Sequence, residues 1–91
     1  MADPIRKIVR EPRFDAELLQ IESDLKRADD LLAGVTWILQ RDPEQYGTRL
    51  SQWDDVWFIP AADVFPRSYG IYYTFNDTYV YLLSIRESEA T

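Results

Sequence analysis

Ser68-Tyr69-Gly70-Ile71-Tyr72-Tyr73-Thr74-Phe75 runs into Asn76-Asp77 and returns through Thr78-Tyr79-Val80-Tyr81-Leu82-Leu83-Ser84-Ile85-Arg86. Two stretches rich in aromatic and β-branched residues, separated by a pair that tolerates positive φ, spell a β-hairpin. A two-residue turn at Asn76-Asp77 sets Tyr73 opposite Val80, Ile71 opposite Leu82, Tyr69 opposite Ser84 and Arg67 opposite Arg86. One face then carries Phe75, Tyr73, Val80, Ile71 and Leu82, suited to receive helices. The other carries Tyr72, Thr74, Tyr79, Tyr81, Gly70 and Leu83, and is expected to meet solvent or a partner.

Working back from the hairpin, Val56 to Ile59 predicts a further strand, ended by Pro60. Ala61 to Pro66 then connects it to the hairpin, with Val64 or Phe65 turned inward. Glu44 to Asp55 reads as a loop or irregular strand with a turn at Tyr46-Gly47 and with Leu50 and Trp53 as anchors to the core. Phe14, Leu18, Ile21 and Leu25 recur at three- and four-residue intervals, the spacing of one helical face. Leu31, Leu32, Val35, Ile38 and Leu39, with Trp37 beside them, predict a second helix capped by Asp29 or Asp30 and stopped at Arg41-Asp42-Pro43. Ile5 to Val9, bounded by Pro4 and Pro12, is a short strand. The order implies an α+β domain: a short N-terminal strand, a helical hairpin, then three antiparallel strands. Together they make one four-stranded sheet with the helices on one face.

Ninety-one residues suit a single domain spanning 1–91, with an ordered core over about 5–87. Hydrophobic residues make up 46% of the chain and aromatics 14%, enough apolar surface to offset ordering entropy. Cysteine and histidine are both absent, which removes disulfides, the usual zinc sites and most nucleophile–imidazole hydrolases. No metal or cofactor is expected. No apolar run nears the roughly 18 residues of a membrane helix, so a cytoplasmic protein without a membrane partner is expected. A net charge of −6 argues against sequence-independent adhesion to nucleic acid. Arg6, Lys7, Arg10 and Arg13 nevertheless crowd the first strand and its exit, a local basic patch within an acidic chain.

The first strand and its exit read Ile8-Val9-Arg10-Glu11-Pro12-Arg13-Phe14, and the helix end reads Leu39-Gln40-Arg41-Asp42-Pro43. With Tyr69-Gly70-Ile71-Tyr72-Tyr73 and Tyr81-Leu82-Leu83-Ser84-Ile85-Arg86, these segments resemble the RelE/ParE toxins of toxin–antitoxin pairs along nearly the whole chain. The resemblance implies messenger-RNA cleavage by attack of a 2′-hydroxyl on the adjacent phosphate, with basic residues stabilising the developing charge. It also implies an antitoxin peptide, or another protein, wrapped on the surface, and RNA or the ribosome as a target. Arg86 matches the arginine that closes the last strand in many members. Gly70 stands where the penultimate strand usually holds an arginine, and Val56 to Ile59 lack the usual lysines. Two classes follow. One is a metal-independent endoribonuclease toxin with a non-canonical or attenuated site; the other is a non-enzymatic interaction module that keeps the fold without catalysis.

For the first class the catalytic candidates are Arg67 and Arg86, holding the phosphate, and Tyr69 or Tyr72, positioning a base or assisting proton transfer. Facing arginines repel one another, so a bridging anion would offset the cost. Carboxylates such as Asp63 or Glu87, or a slip in register, would do the same and are the commoner arrangement. Tyr79 and Tyr81 are binding candidates for nucleobases or a partner helix, although tyrosine also simply suits strands. Arg10 and Arg13 are binding candidates through the basic patch. Asp54-Asp55 point to different sides of an extended segment and read as a turn entering a strand. Glu22 and Lys26 read as an i,i+4 pair on solvated helix, and Glu17 as surface.

Overall fold

The computed structural model describes residues 5–50, 55–64 and 67–88. In chain order these form β1 (Lys7–Arg10), α1 (Pro12–Ile21), α2 (Leu25–Arg41), β2 (Thr48–Arg49), β3 (Trp57–Val64), β4 (Arg67–Phe75) and β5 (Tyr79–Ser88). The strands make one sheet in the order β1-β5-β4-β3-β2, antiparallel except where β1 lies parallel to β5. The α+β class holds. The sheet has five strands rather than four because Thr48 and Arg49 pair with Phe58 and Trp57.

Pro12 sits in the first turn of α1, where a missing N–H loses no bond. The helix ends at Ile21, and the Glu22 N–H caps it on the Leu18 carbonyl at 2.9 Å. Asp24, rather than Asp29 or Asp30, caps α2, its carboxylate accepting from the backbone N–H of Lys26 and Arg27 at 3.0 and 3.2 Å. That cap displaces two expectations. Leu25 leaves the apolar stripe and is 68% exposed. Glu22 instead accepts from the Asp24 N–H at 3.1 Å, with no helix to share with Lys26.

The core lies between the helices and one sheet face. Phe14 and Leu18 of α1 and Ala28, Leu32, Val35 and Leu39 of α2 meet Ile59, Ile71, Tyr73, Val80, Leu82 and Ile85. Leu50 is not an anchor; it is 52% exposed. Its expected role falls to Tyr73, whose hydroxyl passes under Gly47 and donates to the Pro43 carbonyl. Trp53 and Phe65 lie outside the described residues.

Pro60 does not end β3, which continues to Val64 through a register shift between Pro60 and Ala62. The β2 pairing reaches only Thr48 and Arg49, so Pro60 stands on a stretch of β3 with no β2 partner among the described residues. A proline costs little on such an edge.

The hairpin differs from expectation in register. Asn76 donates its N–H to the Tyr79 carbonyl at 2.9 Å, and its side-chain oxygen accepts from Thr78 and Tyr79 N–H, both at 2.8 Å. The turn is therefore centred on Asp77-Thr78, one residue later than the sequence predicts, and Phe75 faces Val80. Moving the centre by one residue shifts each pairing by two, which changes partners and keeps faces. A second irregularity changes the faces: Tyr73 pairs with Leu82 but Tyr72 with Ser84, so Leu83 is an extra residue. Beyond it Ile85 turns to the core and Arg86 to the open face, opposite Gly70. Arg67, expected opposite Arg86, pairs instead with Val64 of β3. No helix is long and apolar enough to cross a membrane among the described residues.

Candidate functional site

The extra residue Leu83 brings Arg86 onto the face that Tyr72 occupies, and the guanidinium carbon lies 5.9 Å from the Tyr72 ring centre. Phe58 stands next along the row, its ring centre 5.2 Å from that of Tyr72 and tilted by 57°. The Phe58 ring also covers Gly70. A Cβ at residue 70 would come within 2.2 Å of two Phe58 ring carbons, so the absent side chain is what lets the ring lie there.

Glu17 of α1 completes the cluster. Because β1 ends at Arg10, opposite Leu82, α1 begins beside β5 and delivers Glu17 to the strand beyond. Its Oε1 accepts a 2.6 Å hydrogen bond from the Ser84 hydroxyl and lies 3.6 Å from Arg13 Nε. Its Oε2 lies 3.7 Å from Arg86 Nε, which also donates to the Ser84 Oγ at 3.1 Å. Arg13, Ser84 and Arg86 thus converge on one carboxylate.

Of the four catalytic candidates, the structure unites Arg86 and Tyr72. Tyr69 faces the core and is 9% exposed; it reaches Arg86 only across a hollow lined by Glu17, Gln20, Tyr69, Ile85 and Arg86. Arg67 opens β4 three positions before Gly70, so roughly 10 Å of strand separates its backbone from the site opposite Arg86.

The binding candidates divide in the same way. Tyr79 and Tyr81 share the open face with ring centres 5.8 Å apart, beside Lys7 and Val9 of β1. Along β5, Tyr81 lies about 17 Å and Tyr79 about 23 Å from Arg86. Arg10 turns to the helix side. Its Nε is 2.6 Å from Asp15, its Nη1 3.3 Å from Asp29, and its guanidinium lies over the Phe14 ring. Arg6 donates to the Asn76 carbonyl. The crowding of cations in sequence therefore does not make one patch: Arg13 joins the Glu17 cluster while Arg10 and Arg6 are tied elsewhere.

Burial, with Glu44 adding to it, pushes the Tyr73 phenol up to about 12. At neutral pH it is a neutral donor to Pro43, a structural role.

Sequence reasoning missed Glu17, Ser84 and Phe58. The i,i+4 spacing of Arg13 and Glu17 was the available signal, but spacing alone also describes any solvated helix.

No protein-family model and no curated protein sequence matches the chain. A solved structure, the toxin–antitoxin complex RelBE2 from Mycobacterium tuberculosis, is similar over 93% of this chain and 93% of its own, with a TM-score of 0.69 and 15% identity. The chain has a RelE-like toxin fold.

Proposed function

We propose that the protein is the toxin-like member of a toxin–antitoxin pair, acting in the cytoplasm, with its working surface on the open sheet face around Arg86 and Tyr72. One observation carries this reading. Within a RelE-like fold, the extra residue in β5 turns Arg86 out of the core side and over Tyr72. An arginine there offers a planar fork to a phosphodiester, and Tyr72 with Phe58 offers ring faces to an adjacent base.

The reaction that fits is cleavage of messenger RNA. The ribose 2′-oxygen attacks the adjacent phosphorus, the bond to the 5′-oxygen breaks, and the products are a 2′,3′-cyclic phosphate and a 5′-hydroxyl. The proton lost by the 2′-hydroxyl is balanced by one gained at the leaving oxygen. Arg86 stabilises the charge that builds on the phosphoryl oxygens, and Tyr72, whose ring centre lies 5.9 Å from the Arg86 guanidinium carbon, supplies a hydroxyl as proton carrier. With Gly70 and Phe58 replacing a second cation opposite Arg86, the rate is attenuated. An antitoxin peptide is the natural protein partner of such a chain, as the RelBE2 complex pairs toxin with antitoxin.

A second reading, an interaction module without catalysis, is favoured by one observation. Phe58 over Gly70 makes the middle of the open face an aromatic surface rather than a cationic one.

The two readings separate when 5′-hydroxyl ends are mapped in total RNA after induced expression. New ends that disappear in Arg86→Ala and weaken in Tyr72→Phe are expected of the toxin. Ends unchanged by Arg86→Ala would exclude this site, and no new ends from folded protein would favour the module.

A further inference from the structure

We infer that Arg13, Ser84 and Arg86 form an anion seat for a phosphate group, and that Glu17 occupies it in the free protein as a built-in competitor. The inference deepens the reading above by naming what restrains the same site, and it rests on Arg86 belonging to the working surface.

Three donors from two distant parts of the chain meet on one carboxylate. Ser84 Oγ donates to Glu17 Oε1 at 2.6 Å; Arg13 Nε lies 3.6 Å from Oε1 and Arg86 Nε 3.7 Å from Oε2. This is the donor set that recognises an oxyanion: two guanidinium groups for charge and a hydroxyl for direction. Ser84 is 6% exposed, and its buried hydroxyl is satisfied by the carboxylate that it faces.

The two arginines hold Glu17 loosely, while the Ser84 hydroxyl holds it closely. Both arginines are more than half exposed, at 65% and 52%, and their separations from the carboxylate exceed hydrogen-bonding distance. Ion pairs so exposed contribute little, so the Ser84 hydrogen bond is the main contact that an incoming ligand replaces with an oxygen of its own. Being tethered on α1, the carboxylate nevertheless competes at high effective concentration, which keeps free phosphate out while an RNA anchored by further contacts displaces it. Neutralising Glu17 removes one negative charge from a hollow that Glu87 also lines, and this raises the attraction of Arg13 and Arg86 for a phosphate.

The test is a titration of the full chain with inorganic phosphate. It follows the Arg13 and Arg86 Nε–H and the Ser84 amide by NMR in the wild type, Glu17→Gln and Glu17→Gln/Arg86→Ala. Glutamine keeps the size of glutamate and an oxygen for the Ser84 hydroxyl. Glu17→Gln should bind phosphate at least about tenfold more tightly than the wild type, with the gain lost on adding Arg86→Ala. Affinities equal within about twofold, or a gain that survives Arg86→Ala, would overturn the seat. Should Glu17→Gln lose its amide dispersion, the wild type decides. At high phosphate, Arg86 Nε–H and the Ser84 amide must move on one curve; shifts confined to other residues overturn the proposal. RNA cleavage fails or stands independently. Tighter phosphate binding without new RNA ends removes the nuclease and leaves the seat, and Arg86-dependent ends without tighter binding do the reverse.

Discussion

Gly70 lies beneath the ring of Phe58, which leaves no room for a side chain at residue 70. A methyl group at residue 70 would sit 2.2 Å from the Phe58 Cε2 and Cζ, a distance at which the ring must move. Gly70→Ala should destabilise the fold by about 1–3 kcal/mol, the usual cost of overpacking. Phe58→Ala should remove most of that added cost. A double-mutant cycle in urea measures the coupling, and additive losses would show that the ring moves freely.

A similar contact joins Gly47 to Tyr73. A Cβ at residue 47 would stand 1.8 Å from the Tyr73 hydroxyl and 3.3 Å from the Pro43 carbonyl oxygen. Gly47→Ala should therefore cost about 2 kcal/mol or more, because the buried ring has nowhere to go. Tyr73→Phe in the same chain should recover part of that loss, since it deletes the clashing oxygen. Thermal unfolding of the two single variants and the double variant checks this.

The Tyr73 phenol also makes stability depend on alkaline pH. Its folded-state value, raised from 10.0 to about 12, exceeds the unfolded one, so the unfolded chain gives up this proton first as pH rises. The contribution of the neutral phenol is complete below pH 10 and is lost progressively as pH climbs to 12. Tyr73→Phe should be less stable than the wild type by about 1 kcal/mol at pH 7, from the lost hydrogen bond. That difference should shrink, or change sign, across the same window. A pH-independent difference would contradict the burial argument.

Asp24 caps α2, so Asp24→Ala should cost about 1 kcal/mol and Asp24→Asn much less. Asp29→Ala and Asp30→Ala, at the caps that the sequence predicts, should each cost less than Asp24→Ala. Urea midpoints of the four variants make the comparison.

Alternation carries only part of the information in this chain. The apolar face of the hairpin was legible because a two-residue period survives any even shift of register: Tyr73, Ile71, Val80 and Leu82 are buried whichever partners they face. Partner identity was not legible, because it depends on the Asn76 side chain moving the turn and on Leu83 entering as an extra residue. The helix boundary at Asp24 was hidden by Leu25, which continues the spacing of Phe14, Leu18 and Ile21 across a break. Pro60 read as a stop only because its edge position was unknown. Arg86 was named as a candidate by resemblance, and its place on the open face beside Tyr72 depends on the extra residue Leu83. Its contact with Glu17 joins residues far apart in sequence, which no local pattern encodes.

A toxin-type activity seated at Arg86 is tested by growth of a bacterial host after induced expression. Wild type, Arg86→Ala and Arg10→Ala are compared at equal abundance. Arg10 serves as the control because it faces the helix side, paired with Asp15 and Asp29. Growth should slow with the wild type and with Arg10→Ala and stay normal with Arg86→Ala. Growth that is the same for wild type and Arg86→Ala, whether slowed or normal, would contradict an activity seated there.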